Sequence, residues 1–142
     1  MTRLTASLKV DGGCHCGFIT FEAEIDPADV GLCHCTDCQN LTGTAFTAYV
    51  FAPRARFRLL SGTPKIYLKT GSSGTKRAQA FCPECGSRIY ASAAVAEPER
   101  YNLRLGTIRQ RRELRPHRQI WCQSALDWAM DLGSVKQFPR EP

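Results

Sequence analysis

The sequence predicts a mainly β fold, with one or two short helices, that is stabilised by zinc. Short runs of alternating apolar and polar residues recur along the chain, and Gly, Pro and Ser residues separate them. Eight cysteines occur among the 142 residues, most of them in the C-x-C and C-x-x-C units that bind metal. A hydrophobic content of 43% fits one well-packed core, so we expect residues 1–142 to form a single domain.

The clearest strand signal lies between Ile19 and Ile25, where every second residue is apolar until Asp26-Pro27 ends the run. Two segments that contain Gly, Ser or Pro, 69–76 and 96–100, predict turns. Three shorter alternations are centred on Phe57 and Leu59, on Ile66 and Leu68, and on Tyr101, Leu103 and Leu105. Short strands joined by such turns predict antiparallel sheets.

One short helix is predicted to begin at Thr36. Thr36 and Gln39 form the T-x-x-Q pattern of a capping box, and Gly43 is placed to end the helix. Cys38 then lies in the first turn, where backbone N–H groups favour a thiolate. A second helical turn is predicted around residues 124–132.

The apolar segments are too short to predict a membrane protein. The longest nearly apolar stretch, residues 45–52, is far below the roughly 18 residues that a membrane-spanning helix needs. No apolar segment of signal-peptide length precedes Cys14, so we expect a cytoplasmic protein. Clustered cysteines in a reducing compartment favour metal binding over disulfides.

The formal net charge of +6, with basic clusters at residues 54–58 and 109–118, raises the question of a nucleic-acid partner. Few aromatic residues that could stack on bases lie among these basic residues. Seven thiolates on two Zn²⁺ ions would also reduce the positive charge. These two points disfavour nucleic-acid binding.

The strongest motif is Cys82-Pro-Glu-Cys85-Gly86, which has the composition of a zinc knuckle. Two thiolates do not close a tetrahedral site, so the knuckle needs two further ligands. Cys14 and Cys16 can supply them, because residues i and i+2 of a strand face the same side.

A second group of thiolates lies in the segment Cys33-His-Cys35-Thr-Asp-Cys38, at a predicted strand-to-helix corner. Three thiolates leave a fourth position for another ligand, and an open position distinguishes catalytic from structural zinc. Spacing alone also allows Cys33 and Cys35, rather than Cys14 and Cys16, to complete the knuckle.

Other residues of interest are mostly assigned structural roles. His15 and His34 each stand between two cysteines, so on a strand their rings point away from the metal. His34 lies nearer the open site and is the better candidate for a proton carrier. Arg77 could meet a substrate carboxylate, although a solvated position is favoured. Residues expected in the core are Phe46, Trp121, Cys122 and Trp128.

The chain resembles the glutathione-dependent formaldehyde-activating enzyme family, also called the GFA or CENP-V/GFA domain. The similarity covers about residues 12–139 and rests on four motifs: Gly13-Cys-His-Cys-Gly17, Cys33-His-Cys-Thr-Asp-Cys38 continuing to Gly43, Phe81-Cys-Pro-Glu-Cys-Gly-Ser87, and Leu105-Gly-Thr107. One difference lies in the tail, where Gln119 precedes Ile120-Trp121-Cys122 and the family often has a histidine.

The resemblance implies a β-tent of antiparallel sheets and two zinc ions per chain. It assigns the structural zinc to Cys14, Cys16, Cys82 and Cys85, and the catalytic zinc to Cys33, Cys35 and Cys38. It also implies a carbon–sulfur lyase that acts on adducts of glutathione, or a similar small thiol, with formaldehyde or another small aldehyde.

Two other functions remain open from the residues alone. In the first, both zinc sites are structural and the domain binds a protein or nucleic-acid partner without catalysis. In the second, the protein carries a metal or a thiol without turnover. The three cysteines of the second cluster, rather than four, favour the enzyme over a purely structural module.

Overall fold

The protein is mainly β, as the sequence predicts, in a computed structural model that describes residues 6–142. These residues form ten strands and one α-helix, with several short 3₁₀ turns between them. The elements in chain order are β1 (Leu8–Gly13), β2 (Thr20–Ile25), β3 (Val30–Cys33), α1 (Thr36–Thr42), β4 (Thr47–Pro53), β5 (Phe57–Ser61), β6 (Lys65–Thr70), β7 (Lys76–Phe81), β8 (Arg88–Ala93), β9 (Arg100–Arg104) and β10 (Arg118–Ile120).

The strands make two sheets. The smaller sheet has the order β1-β2-β5 and the larger has the order β10-β3-β4-β9-β8-β7-β6. Neighbouring strands are antiparallel except β10, which runs parallel to β3. The predicted turn segments join β6 to β7 and β8 to β9.

The alternation in β2 places its apolar side chains in the core and its acidic side chains outside. Phe21 and Ile25 are fully buried, whereas Glu22 and Glu24 form ion pairs with Arg58 and Arg56 across the sheet. The predicted strand is therefore confirmed, and two arginines of the 54–58 cluster have carboxylate partners.

The hydrophobic core lies between the two sheets. It combines Phe21 and Ile25 of the smaller sheet with Val50 and Leu103 of the larger sheet. Cys14 and Cys82 belong to the same buried cluster. The core therefore supports the chain segments that carry these two cysteines.

The other face of the larger sheet is more polar, and α1 lies beside it. Paired residues on neighbouring strands share a face. The pairs Cys33–Thr47, Tyr49–Arg104, Asn102–Ala91, Ala91–Gln79 and Phe81–Arg88 therefore place their side chains together on what we call the polar face. An ion pair of 2.9 Å between Asp37 and Lys69 links α1 to β6.

The predicted strand around Ile66 and Leu68 is present as β6, an edge strand whose apolar side chains are exposed. Three core predictions for apolar residues are wrong. Trp121 and Trp128 are 53% and 56% exposed, and Cys122 is also exposed. The chain leaves the sheet after the edge strand β10, and within residues 6–142 no later strand packs over the tail.

The second helical turn predicted around residues 124–132 is present as the short 3₁₀ helix Asp127–Met130, which follows another at Cys122–Ser124. Within residues 6–142 no helix is both long enough and apolar enough to cross a bilayer.

Candidate metal centres

Four cysteines from two distant segments meet at one end of the core. Cys14 directly follows β1 and Cys16 lies in the turn to β2, while Cys82 and Cys85 lie in the turn between β7 and β8. Their four sulfur atoms lie within 4.8 Å of one another. We call this group the first cluster.

The spacing of these sulfur atoms fits a tetrahedral zinc ion. The Sγ atoms of Cys14 and Cys16 are 3.6 Å apart, and those of Cys16 and Cys82 are 3.8 Å apart. A Zn–S bond of about 2.3 Å gives a tetrahedron with sulfurs about 3.8 Å apart. The residues of the first cluster therefore suit zinc in both ligand type and ligand number.

Backbone N–H groups point at the sulfurs of the first cluster. The Cys82 sulfur accepts from the amides of Glu84 and Cys85, each at 3.4 Å, and the Cys14 sulfur accepts from the amide of Ile19 at 3.2 Å. Gly86, at φ 81°, permits the turn that closes this arrangement, and its N–H donates to the Cys82 carbonyl at 2.8 Å. Such donors favour the thiolate form that binds metal.

Ser87 links the two halves of the first cluster, a role that the sequence analysis missed although the residue closes the knuckle motif. Its hydroxyl accepts from the His15 amide at 3.1 Å and hydrogen-bonds the Cys85 sulfur at 3.3 Å. The hydrogen bonds with this hydroxyl and with the Ser87 backbone N–H lower the pKa of Cys85 to about 5. The side chain of His15 itself is exposed.

The remaining clustered cysteines form a separate second cluster at the junction of β3 and α1. Cys33 ends β3, Cys35 precedes α1 and Cys38 lies in its first turn, with the three sulfurs within 4.8 Å of one another. Within the described residues, no fourth Cys, His, Asp or Glu ligand atom joins this group. Cys14 and Cys16, rather than Cys33 and Cys35, thus lie beside the knuckle.

The start of α1 differs from the predicted capping box. The N-cap residue is Cys35, whose sulfur accepts from the Cys38 amide at 3.2 Å. Gln39 instead donates to the carbonyls of His34 and Ser124, each at 2.9 Å. The predicted end of the helix is confirmed, because Gly43 adopts φ 67° and its N–H donates to the Gln39 carbonyl.

The surroundings shift the pKa values of the three thiols of the second cluster in different directions. The hydrogen bond with Cys33 lowers the pKa of Cys38 to about 5 against the effect of burial, with help from the Thr47 hydroxyl and the charge of Arg104. Cys38 in turn raises the pKa of Cys33, and burial raises the pKa of Cys35. These contacts favour a thiolate within the second cluster. Thr47 and Arg104 belong to other strands, and no sequence motif marks them.

His34 is fully buried, and its ring has partners outside the second cluster. Its Nε2 hydrogen-bonds Gln119 at 2.8 Å, and its ring packs edge-on against Phe46 at 5.4 Å. Gln119 is the residue at which the tail differs from the resembled family. Nδ1 of His34 is buried without a hydrogen-bond partner within the described residues.

Comparison with known proteins gives a match to a family model and a likeness to a solved structure. The family model described as glutathione-dependent formaldehyde-activating enzyme matches residues 9–124, a range that contains both clusters. The crystal structure of a Rhodobacter sphaeroides protein matches with a TM-score of 0.59 and 23% sequence identity, over 77% of this chain and 98% of that chain. This second likeness shows a shared fold alone.

Proposed function

This chain belongs to the glutathione-dependent formaldehyde-activating enzyme family, and from this premise we propose that it is a zinc-dependent carbon–sulfur lyase. Its substrates are adducts of a small thiol, glutathione or a relative, with formaldehyde or another small aldehyde. The first cluster holds a structural zinc and the second cluster holds a catalytic zinc. Residues 1–142 act as one domain.

The observation that carries this proposal is the unequal number of ligands in the two clusters. Four sulfurs at tetrahedral spacing close the first cluster, whereas the second offers three. A zinc site that accepts a substrate requires fewer protein ligands than its full coordination number. A domain with two purely structural sites would need a fourth ligand at the second cluster.

A zinc ion bound by the second cluster would supply a position at which a substrate thiol loses its proton near neutral pH. Cys33, Cys35 and Cys38 would hold the ion through their three sulfurs. The Thr47 hydroxyl and the Arg104 guanidinium favour the negative charge of the cluster.

The reaction balances without a redox partner. In adduct formation, the thiol sulfur bonds to the carbonyl carbon, the C=O π electrons move to oxygen, the thiol proton is released and the oxygen takes up a proton. The reverse reaction breaks the same carbon–sulfur bond and regenerates thiol and aldehyde.

The test is the exchange of ¹³C-labelled formaldehyde between its free form and its glutathione adduct, measured by NMR exchange spectroscopy. The zinc-loaded protein should raise the exchange rate above the spontaneous rate, and Cys38→Ser should abolish this increase. Cys122→Ser is the matched control, because it removes an exposed thiol outside both clusters. A zinc-loaded protein that leaves the exchange rate unchanged would favour the non-catalytic binding module.

A further inference from the structure

Three arginines on the polar face form no ion pair with a carboxylate, and two of them, Arg88 and Arg104, lie near the second cluster. The ion pairs formed by residues 6–142 use other basic side chains, and none involves Arg77, Arg88 or Arg104. All three are partly buried. Partly buried charges of like sign are costly unless an anion is close by.

The two arginines nearest the second cluster converge on one acceptor. Arg88 and Arg104 both donate to Oε1 of Gln79, and the Arg104 bond measures 3.0 Å. Arg104 also donates to Asn102 at 2.9 Å. These neutral side chains hold the guanidiniums in place but do not compensate their charge.

Each of these guanidiniums keeps an unused donor. Nη1 of Arg88 and Nε of Arg104 are buried and have no hydrogen-bond partner within the described residues. Buried donors in native proteins are nearly always paired, with a ligand or an ordered water where no protein group serves. Two orphan donors on adjacent guanidiniums match the two oxygens of a carboxylate, an anion with which arginine forms strong, charge-assisted hydrogen bonds.

Both arginines are close enough to the second cluster for the charge of Cys38 to act on them, and Arg88 also lies at a cavity. Burial, together with the charges of Arg88 and Arg77, lowers the pKa of Arg104 to about 10, while Cys38 and Cys33 act in the opposite direction. Arg88 and Gln79 also line a cavity of about 310 Å³ with the apolar residues Leu41 and Phe81. Leu41 follows Cys38 by three residues on α1, so both lie on one side of the helix.

We propose that Arg88 and Arg104 bind a carboxylate of the substrate, so that the second cluster selects small thiols that carry an acidic group. This inference rests on the proposed function. The charges agree with it, since the two guanidiniums exceed the single negative charge of a zinc ion held by three thiolates, and an anionic group on the ligand would compensate the remaining positive charge.

The experiment compares 3-mercaptopropionate with 3-mercaptopropionamide, which has nearly the same shape and no charge. Binding of each to the cobalt-substituted protein is followed through the visible spectrum of the metal. The acid should bind about tenfold or more tightly than the amide, because charge-assisted hydrogen bonds discriminate by at least that factor.

Arg88→Gln should remove this preference while the affinity for the amide stays within about twofold of the wild-type value. Arg115→Gln makes the same charge change at an exposed residue and should keep the preference. If Arg88→Gln fails to fold, Arg88→Lys serves instead, because it keeps the charge, loses the fork and should lose part of the preference.

The outcomes separate the two proposals. Equal binding of acid and amide by the wild-type protein would overturn the arginine site and leave the proposed function standing. If Arg88→Gln lowers the affinity for the acid and for the amide equally, the arginine site is also overturned, because Arg88 would then affect binding only through the cysteines. If neither thiol changes the spectrum, the proposed function fails, and propionate tests the arginines alone. Propionate should shift the Arg104 Nε–H resonance in the wild-type protein, and the absence of a shift would overturn the site.

Discussion

Two cysteines, Cys82 and Cys38, differ in how firmly the fold holds them. Cys82 is fully buried, belongs to the hydrophobic core and receives two backbone N–H groups on its sulfur. Cys38 lies in a seven-residue helix beside the polar face and is only partly buried. A metal ligand inside the core contributes to folding more directly than one at its margin.

We therefore expect Cys82→Ser and Cys38→Ser to fail in different ways. Cys82→Ser should lower the free energy of unfolding by about 4 kcal/mol or more, the range typical of a lost structural metal site. Cys38→Ser should cost about 1 kcal/mol and remove thiol binding. Urea unfolding of the zinc-loaded variants, followed by circular dichroism, measures both. Equal losses would mean that both clusters are structural.

Cys122 offers a prediction that follows from its exposure. It is exposed and lies outside both clusters, whereas the seven other cysteines belong to them. Iodoacetamide should therefore modify Cys122 first and at close to the rate of a free cysteine when the protein is zinc-loaded, because metal and burial protect the rest. Peptide mass spectrometry after brief alkylation locates the modified residue, and Cys122→Ser should remove the rapid phase. Equally rapid alkylation of Cys16 and Cys85, which are exposed but belong to the first cluster, would show that this cluster binds no metal.

At the scale of elements, α1 depends on a glycine at its end. Gly43 adopts φ 67°, and a Cβ at this position would meet no atom within 4 Å. The cost of Gly43→Ala is therefore backbone strain alone, about 1–2 kcal/mol. Because α1 carries Cys38, we expect this strain to weaken metal binding at the second cluster by about tenfold, as measured by competition with a chelator.

Gly74→Ala is the matched control for Gly43→Ala. Gly74 has φ 84° and equally open surroundings, but it lies in the turn between β6 and β7 and not in an element that carries a cysteine of either cluster. It should cost similar stability and leave both metal affinities unchanged. Gly43→Asn should be milder than Gly43→Ala, because asparagine tolerates the left-handed region. If both alanine variants weaken the second cluster equally, global stability and not α1 controls that site.

The elements also show which features local sequence can predict. The period-two pattern predicted β2 because one face of that strand packs on the core. The T-x-x-Q pattern predicts Thr36 as the N-cap of α1 because hydroxyls are the usual capping groups, whereas the helix begins at Thr36 and the Cys35 sulfur is the capping group. The burial of Trp121 and Trp128 was predicted wrongly for a different reason. Both side chains are apolar, but the edge strand before them leaves no surface for them to cover.

At the scale of the whole molecule, contacts between distant segments create both sites. The first cluster joins residues 66 positions apart, Cys16 and Cys82, and the arginine pair meets through Gln79, which is 25 positions from Arg104. The motifs marked the cysteines because metal ligands must be closely spaced within each segment. No such rule applies to Arg88 and Arg104, which become neighbours only through the strand register of the larger sheet.

This division of the molecule predicts that a chelator removes two zinc ions in two steps. The second cluster offers three sulfurs at the polar face, so its ion should leave first, and the fold should persist because none of these cysteines belongs to the core cluster. The first cluster offers four sulfurs, two of them within the core, so loss of its ion should coincide with unfolding.

A colorimetric zinc indicator and far-UV circular dichroism, recorded on one sample during chelation, would follow both steps. Total zinc should approach two ions per chain, and Cys38→Ser should abolish the first step alone. Unfolding that accompanies the first ion, or a fully metal-free protein that keeps its β-sheet spectrum, would contradict the assignment of a structural and an open site.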